Sequence, residues 1–335
     1  MERMGHEVRM INPLPRMPRF AEARRSTMYG VAKAPRRWEH EGVSVQCPRF
    51  FALPDHPYPS MTTWSINRRA SRIEKDLDAW RPDIIICHTL WPVGFLAETL
   101  SKRWAVPWIG VVHGHDFDVG LNTHLQQRIA RLAASCSTLV CVTPRLASLA
   151  SQLPHPPKHL RVIPCHTEVG KDWSRPMRPW RGRWRKASLD LLFPADPRRP
   201  EKRHLLALQA GEVLEQRGWV VGMTTLRHQP RDVVYDRMMV ADATVITSSR
   251  EAGPLVAREA LLCGTPVVSV DVGEVASYLP QTWVVDPTAE AIADGVERAL
   301  KDGWPVEALP NEVLAFASVT NVMDAWSEVL EHLKE

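Results

Sequence analysis

No stretch of this 335-residue chain reaches the roughly 18 consecutive apolar residues of a membrane span, so a transmembrane helix is not expected. The opening string Met1-Glu2-Arg3-Met4-Gly5-His6 is polar and unlike a secretory signal peptide. There are six cysteines and no C-x-x-C pair, and Cys87, Cys141 and Cys263 sit in apolar runs. That pattern argues against a disulfide framework or a zinc site and predicts reduced, buried thiols in the cytosol. Internal repeats and low-complexity tracts are also missing, which excludes solenoids and arrays.

What the chain does have is length enough for two domains and an ordinary apolar content. The net charge of +4 is modest but unevenly spread. Residues 173–186 read W-S-R-P-M-R-P-W-R-G-R-W-R-K, with six basic residues, three Trp and no acid. Basic residues interleaved with aromatics suit single-stranded nucleic acid, but the Pro and Gly here argue against a folded stacking platform, so no nucleic-acid partner is expected. Two readings stay open: a solvated interdomain linker, or peripheral contact with an anionic membrane, where Trp favours the interface and Arg and Lys favour acidic lipids.

Short apolar runs alternate with helical patterns, the sign of parallel βαβ architecture. Strands are expected near 7–11, 43–47, 83–87, 108–112, 138–142 and 160–163, then near 189–193, 219–223, 243–247, 267–270 and 282–285. Helices are expected near 64–80, 92–103, 122–135 and 144–152, then near 201–217, 231–241, 254–263, 288–301 and 318–333. The Pro- and Arg-rich stretch after Val169 interrupts the alternation. The expected division is therefore a first domain over 1–168, a linker over 169–187, a second domain over 188–312 and a terminal helix over 313–335.

Residues 248–274 are the most informative segment: S-S-R-E-A-G-P-L-V-A-R-E-A-L-L-C-G-T-P-V-V-S-V-D-V-G-E. An apolar strand leads into a small-residue loop, a helix opening at Pro254, a stop at Gly264 and another strand. Pro suits a first helical position and Gly the position just past a helix end. Ligands of open α/β sheets sit outside the carboxyl ends of strands, where helix N-termini offer N–H groups. Two carboxylates, Glu251 and Glu259, border that crevice. A carboxylate repels phosphate but accepts hydrogen bonds from sugar hydroxyls, so the segment suits a phosphate attached to sugars.

The string, with its strand–loop–helix–strand context, resembles the donor-binding signature of family 4 (group 1) retaining glycosyltransferases: E-x7-E, then E-A-x-x-x-G-x-P-V-V and D-x-G. Relatives place Gly directly after the first Glu, whereas here Ala252 precedes Gly253. P-D-I-I-I-C-H (82–88), P-W-I-G-V-V-H-G-H-D (107–116), L-V-C-V-T-P-R-L-A (139–147) and L-R-V-I-P (160–164) extend the likeness over nearly the whole chain. The short span between Gly218 and Arg231, with F-P-A-D-P-R-R-P-E-K-R (193–203), resembles the subgroup acting in teichuronic-acid-type cell-surface polysaccharide synthesis. The resemblance implies α/β architecture of the GT-B type, two Rossmann-like doubly wound domains with a cleft between them, and a last helix crossing back onto the first domain.

It also implies roles. Lys202 would grip the diphosphate, Glu251 the donor sugar and Glu259 the ribose hydroxyls. Ala252, Gly253, Pro254 and Leu255 would line the donor, and Arg198 and Arg199 compete for the position of the family arginine. His113 would face the donor sugar, with Gly114 letting the backbone approach the ligand. Catalysis would thus rest on His113, Glu251 and Lys202, with no cofactor and no metal. The string His113-Gly114-His115-Asp116-Phe117-Asp118 has ligand types for a divalent ion, although Asp116 equally suits a turn or cap.

Relatives begin with a strand, a glycine-rich turn and a helix ending in L-x-x-x-G-H-E-V, whereas this sequence starts at M-E-R-M-G-H-E-V. The expectation is a first domain lacking its central strand, from a start codon set too late or in a remnant. The expected activity is transfer of a sugar, with retention, from a nucleotide-sugar donor, UDP-linked, to a lipid-linked or glycan acceptor. The expected location is the cytoplasm, at the inner face of the membrane. A nucleotide-sugar epimerase, a metal-dependent phosphohydrolase and a non-catalytic family member are the alternatives.

Overall fold

The computed structural model describes residues 1–16, 30–53, 56–172, 188–301 and 315–333; the basic tryptophan segment 173–186 lies outside them. The chain divides into two compact units, Met1–Pro164 with Met323–Glu335, and Cys165–Val322.

In the first unit, five short strands come first: β1 (Arg9–Ile11), β2 (Leu14–Pro15), β3 (Arg37–His40), β4 (Val43–Gln46) and β5 (Arg49–Phe50). Then follow β6 (Ile85–His88), β7 (Trp108–Val112), β8 (Thr138–Cys141) and β9 (Leu160–Val162), which form one parallel sheet in that order. Every residue of β7 and β8 is buried. A parallel strand covered on both faces has no polar side to show, hence the unbroken apolar runs. Among the described residues β6 is bonded on one side only, by β7. A separate sheet of order β1-β4-β3 includes a hairpin that the sequence reading missed. Its exposed strand Arg37–His40 has no apolar alternation. Its turn is Glu41-Gly42, both at positive φ (49° and 87°), as a two-residue hairpin of matching twist requires.

The single helix expected over 64–80 is corrected to two, Pro59–Asn67 and Ala70–Leu77. Pro59 occupies the first turn, where its missing N–H costs nothing. Ile66, Ala70, Ile73 and Leu77 are buried; their three-and-four spacing runs through the break and hides it in the sequence.

The second unit is one parallel sheet of β10 (Ser188–Phe193), β11 (Val220–Thr225), β12 (Ala243–Ile246), β13 (Val267–Val270) and β14 (Val284–Val285). Its order is β11-β10-β12-β13-β14. Leu191, Leu192, Val245 and Val268 of the sheet pack with Ala207, Leu214, Met238, Leu261 and Val296 of the helices to form the core. The chain leaves β10 toward one edge and then returns past it toward the other. The reversal falls between β10 and β12, and a ligand crevice is expected outside their carboxyl ends. The helix Leu255–Leu262 is preceded by Pro254 and followed by Gly264 at φ +77°.

None of the six cysteines is in a disulfide, and five of them are buried. The last helix, Val319–His332, brings His332 to a ring distance of 5.1 Å from His159 in the first unit. Among the described residues no helix is long and apolar enough to cross a membrane.

Candidate active site

The loops leaving β10 and β12 are stitched together at the reversal point. Thr247 Oγ1 donates to the Lys202 carbonyl at 2.7 Å, and the Ser249 N–H donates to the Glu201 carbonyl at 2.8 Å. Arg203, in left-handed conformation (φ 50°), donates through Nε to the Thr247 carbonyl at 2.5 Å and through Nη2 to the Ser248 carbonyl at 3.0 Å. The guanidinium thus caps carbonyls that the end of β12 leaves unpaired. This brackets Lys202, the last residue of a tight turn Pro200–Lys202. Its ammonium pairs with Glu251, and Ser248 Oγ donates to the same carboxylate oxygen at 2.7 Å. Both members of the pair are largely shielded from water, with side chains 13% and 17% exposed.

Glu251 is followed by Ala252 and Gly253 in a loop pressed against residues 272–274. A Cβ on Gly253 would lie 2.8 Å from Glu274 Oε1, and one on Gly273 2.6 Å from the Ala252 carbonyl. Glu274 in turn pairs with buried Arg258. Burial pushes the Glu274 carboxyl up, with Arg258 opposing. The backbone approach of Ala252, together with a φ of +64°, accounts for Gly at 273, and the loop before Pro254 and Leu255 rests on it.

Glu259, one turn into that helix, is 2% exposed. Burial raises its carboxyl above the usual range, and the Arg231 guanidinium, hydrogen-bonded to Oε1, works against that rise. Arg198 and Arg199 are each taken up locally, by Asp196 and Glu201, both at 2.7 Å. Lys202 and Glu251 are therefore brought into contact, whereas the two arginines face neighbouring acids.

In the first unit His113 follows β7, and His88 ends the adjacent β6. His113 Nε2 lies 2.9 Å from His88 Nδ1, with the rings stacked at 5.1 Å. Burial, with His88 beside it, lowers the His113 imidazole to about 4. Gly114 sits at φ +112°, a conformation that calls for glycine.

The sequence profile of the Glycosyl transferase 4-like domain matches residues 1–166, and that of Glycosyl transferases group 1 matches residues 213–312. The chain belongs to the family 4, group 1 glycosyltransferases. This glycosyltransferase is 22% identical, over 89% of its length and 82% of the relative's, to the Bacillus subtilis (strain 168) glycosyltransferase TuaC, assigned to teichuronic acid biosynthesis. Among solved structures it resembles sucrose-phosphate synthase from Thermosynechococcus elongatus, with TM-score 0.68 and 17% identity, covering 99% of this chain and 90% of that one. It also resembles a UDP-forming trehalose-phosphate synthase from Burkholderia xenovorans (TM-score 0.65, 13% identity, 98% and 100% covered). A third likeness is to Anabaena HepE in complex with UDP and glucose (TM-score 0.60, 14% identity, 87% and 86% covered). These likenesses give the fold, the GT-B arrangement of two Rossmann-like domains.

In this glycosyltransferase the carboxylates of the H-G-H-D-F-D string serve the protein itself. Asp116 accepts the N–H groups of Leu90 and Trp91 at 2.7 and 3.0 Å, and Asp118 takes a two-pronged bond from Arg145 at 2.8 and 2.9 Å. Sequence reasoning missed Arg203, Arg231, His88 and the Arg258–Glu274 pair. The signal for Arg231 was indirect: a carboxylate in L-V-A-R-E-A-L-L, on a buried helix, demands a cation, but nothing in the string says which. For His88 it was that two adjacent strands each run into a histidine, His88 closing β6 and His113 following β7.

Proposed function

We propose that this glycosyltransferase moves a sugar, with retention of anomeric configuration, from a UDP-linked donor to a lipid-linked or cell-surface glycan acceptor. The observation that carries the reading is the set of groups at the reversal point of the second sheet. A shielded ammonium, Lys202, is held against one carboxylate, Glu251, and a second buried carboxylate, Glu259, lies one helix turn inside. Donor entry would exchange the Lys202–Glu251 pair for two better-matched contacts, ammonium with diphosphate and carboxylate with sugar hydroxyls. Glu259 would take the ribose hydroxyls, and the loop Ala252–Leu255 would lie along the donor. Arg198 and Arg199 remain within the donor reading as cations near the diphosphate.

In the transfer, the bond between the anomeric carbon and the phosphate oxygen breaks and its electron pair goes to the leaving diphosphate. The acceptor oxygen bonds to that carbon on the same face, and its proton passes to the leaving phosphate oxygen. Lys202 would stabilise the charge developing there, and His113 would contact the donor sugar. The UDP and glucose in the HepE complex, the UDP-forming synthases and the teichuronic acid assignment of TuaC support this donor and acceptor class. We place the reaction in the cytoplasm, at the inner membrane face, where a lipid-linked acceptor would be met.

The test is to offer UDP-sugars with and without lipid-linked acceptors and to determine the product anomer by NMR. Retained configuration with UDP release supports the reading. Metal-dependent release of sugar or phosphate without acceptor would favour the phosphohydrolase instead, and nucleotide binding without turnover a non-catalytic family member.

A further inference from the structure

We propose that Arg231 is a positioning residue for donor binding, one that holds the buried Glu259 carboxylate charged and oriented toward the ribose. The inference rests on the reading of Glu259 as the ribose acceptor.

The two partners differ sharply in exposure. The Glu259 side chain is 3% exposed, while that of Arg231 is 68% exposed. The cation thus keeps most of its hydration, and only the anion bears the cost of burial, which makes this pair cheaper than one with both charges withdrawn from water. Arg231 opens the helix Arg231–Val240, and its guanidinium carbon lies 5.7 Å from the ring of Tyr235, one turn on. Tyr235 is itself anchored, its hydroxyl donating to the Glu168 carbonyl at 3.1 Å. The guanidinium therefore lies over an anchored ring on the side from which it reaches Glu259.

The titratable groups facing Glu259 among the described residues are Arg231 and Tyr235 from that helix and Cys263 from its own. Burial raises the Tyr235 phenol and pushes the Cys263 thiol up to about 12, so both stay neutral near pH 7. Arg231 is the cation of this set, and the anion beside it would be lost to a proton more readily without it. A protonated carboxyl accepts fewer and weaker hydrogen bonds than a carboxylate, so ribose binding should follow the ionised form.

The experiment is calorimetry of UDP binding to the full chain between pH 6 and pH 8. The parent and the Arg231→Gln, Arg231→Lys and Glu259→Gln variants are compared. Glu259→Gln carries the titration of the nucleotide alone and serves as the reference slope. The expected result is an Arg231→Gln affinity that falls more steeply than the reference as pH drops from 8 to 6, by a fold-change that the parent does not show, because the carboxyl without its cation takes up a proton at higher pH. Arg231→Lys should recover the parent profile. An Arg231→Gln profile parallel to the reference, whether weakened or not, overturns the proposal while leaving the ribose reading intact. Glu259→Gln binding UDP as tightly as the parent overturns both.

Discussion

Glu259 shows how one residue trades stability for function. A carboxyl raised by burial favours its protonated form in the fold. The contribution to stability is therefore greatest below the ordinary carboxyl range and is lost as pH rises through the folded-state value. Glu259→Gln should have an unfolding midpoint no lower than the parent's by thermal denaturation, yet bind the bare nucleotide more weakly by roughly 1.5–3 kcal/mol, the worth of charged hydrogen bonds. Glu251→Ala should impair transfer while leaving bare-nucleotide affinity nearly intact, since its proposed contact is with the sugar; calorimetry with UDP beside an initial-rate assay separates the two. Lys202→Ala should lower turnover by about 10²–10³, comparable to removing one preorganised stabilising donor, and should weaken UDP far more than uridine. Equal weakening of both would mean that Lys202 does not touch the phosphates.

Strand ends and helix faces set the next scale. β6 and β7 each bring a histidine to the same end of the sheet; burial, with His88 beside it, lowers the His113 imidazole to about 4, and partial desolvation lowers that of the more exposed His88. Neutral rings are thus favoured in the fold. Their contribution is present above the ordinary value near 6.5 and is lost as pH falls toward about 4. The thermal midpoint should drop between pH 7 and pH 5, and a His88→Asn, His113→Asn double variant should show a shallower drop; identical slopes would rule out the pair as the source. The helix Ala289–Lys301 supplies a contrast. Propensity alone makes Gly295→Ala stabilising by up to about 1 kcal/mol. The added Cβ, however, would lie 2.8 Å from Val268 Cγ1 and 2.9 Å from Val285 Cγ1. Overpacking of that kind costs about 1–3 kcal/mol, so net destabilisation is expected in urea unfolding.

At the scale of the whole molecule, the basic tryptophan segment 173–186 supplies a prediction of its own. If it meets an anionic membrane, replacing Arg181, Arg183 and Arg185 by Gln should weaken binding to phosphatidylserine vesicles by about 1 kcal/mol per charge. Added salt should mimic the change, because exposed charges are screened. Vesicle sedimentation unchanged by the substitutions would leave the plain linker as the better description.

The sequence by itself determined the alternation of strands and helices and most of their boundaries, because buried parallel strands must be apolar on both faces and Pro254 and Gly264 mark helix ends by local backbone chemistry. It also put Lys202 and Glu251 in strand-end loops and Glu259 on the helix after Pro254, since those positions are read from local order. Edge strand Arg37–His40 escaped notice because its four exposed residues carry no apolar alternation. Tertiary structure alone decided which charges meet. Lys202 finds Glu251 across 49 positions, and Arg231 finds Glu259 across 28. Those partnerships depend on the sheet order β11-β10-β12, which brings the ends of β10 and β12 together, and a strand order is a property of the packed sheet that no local run of residues encodes.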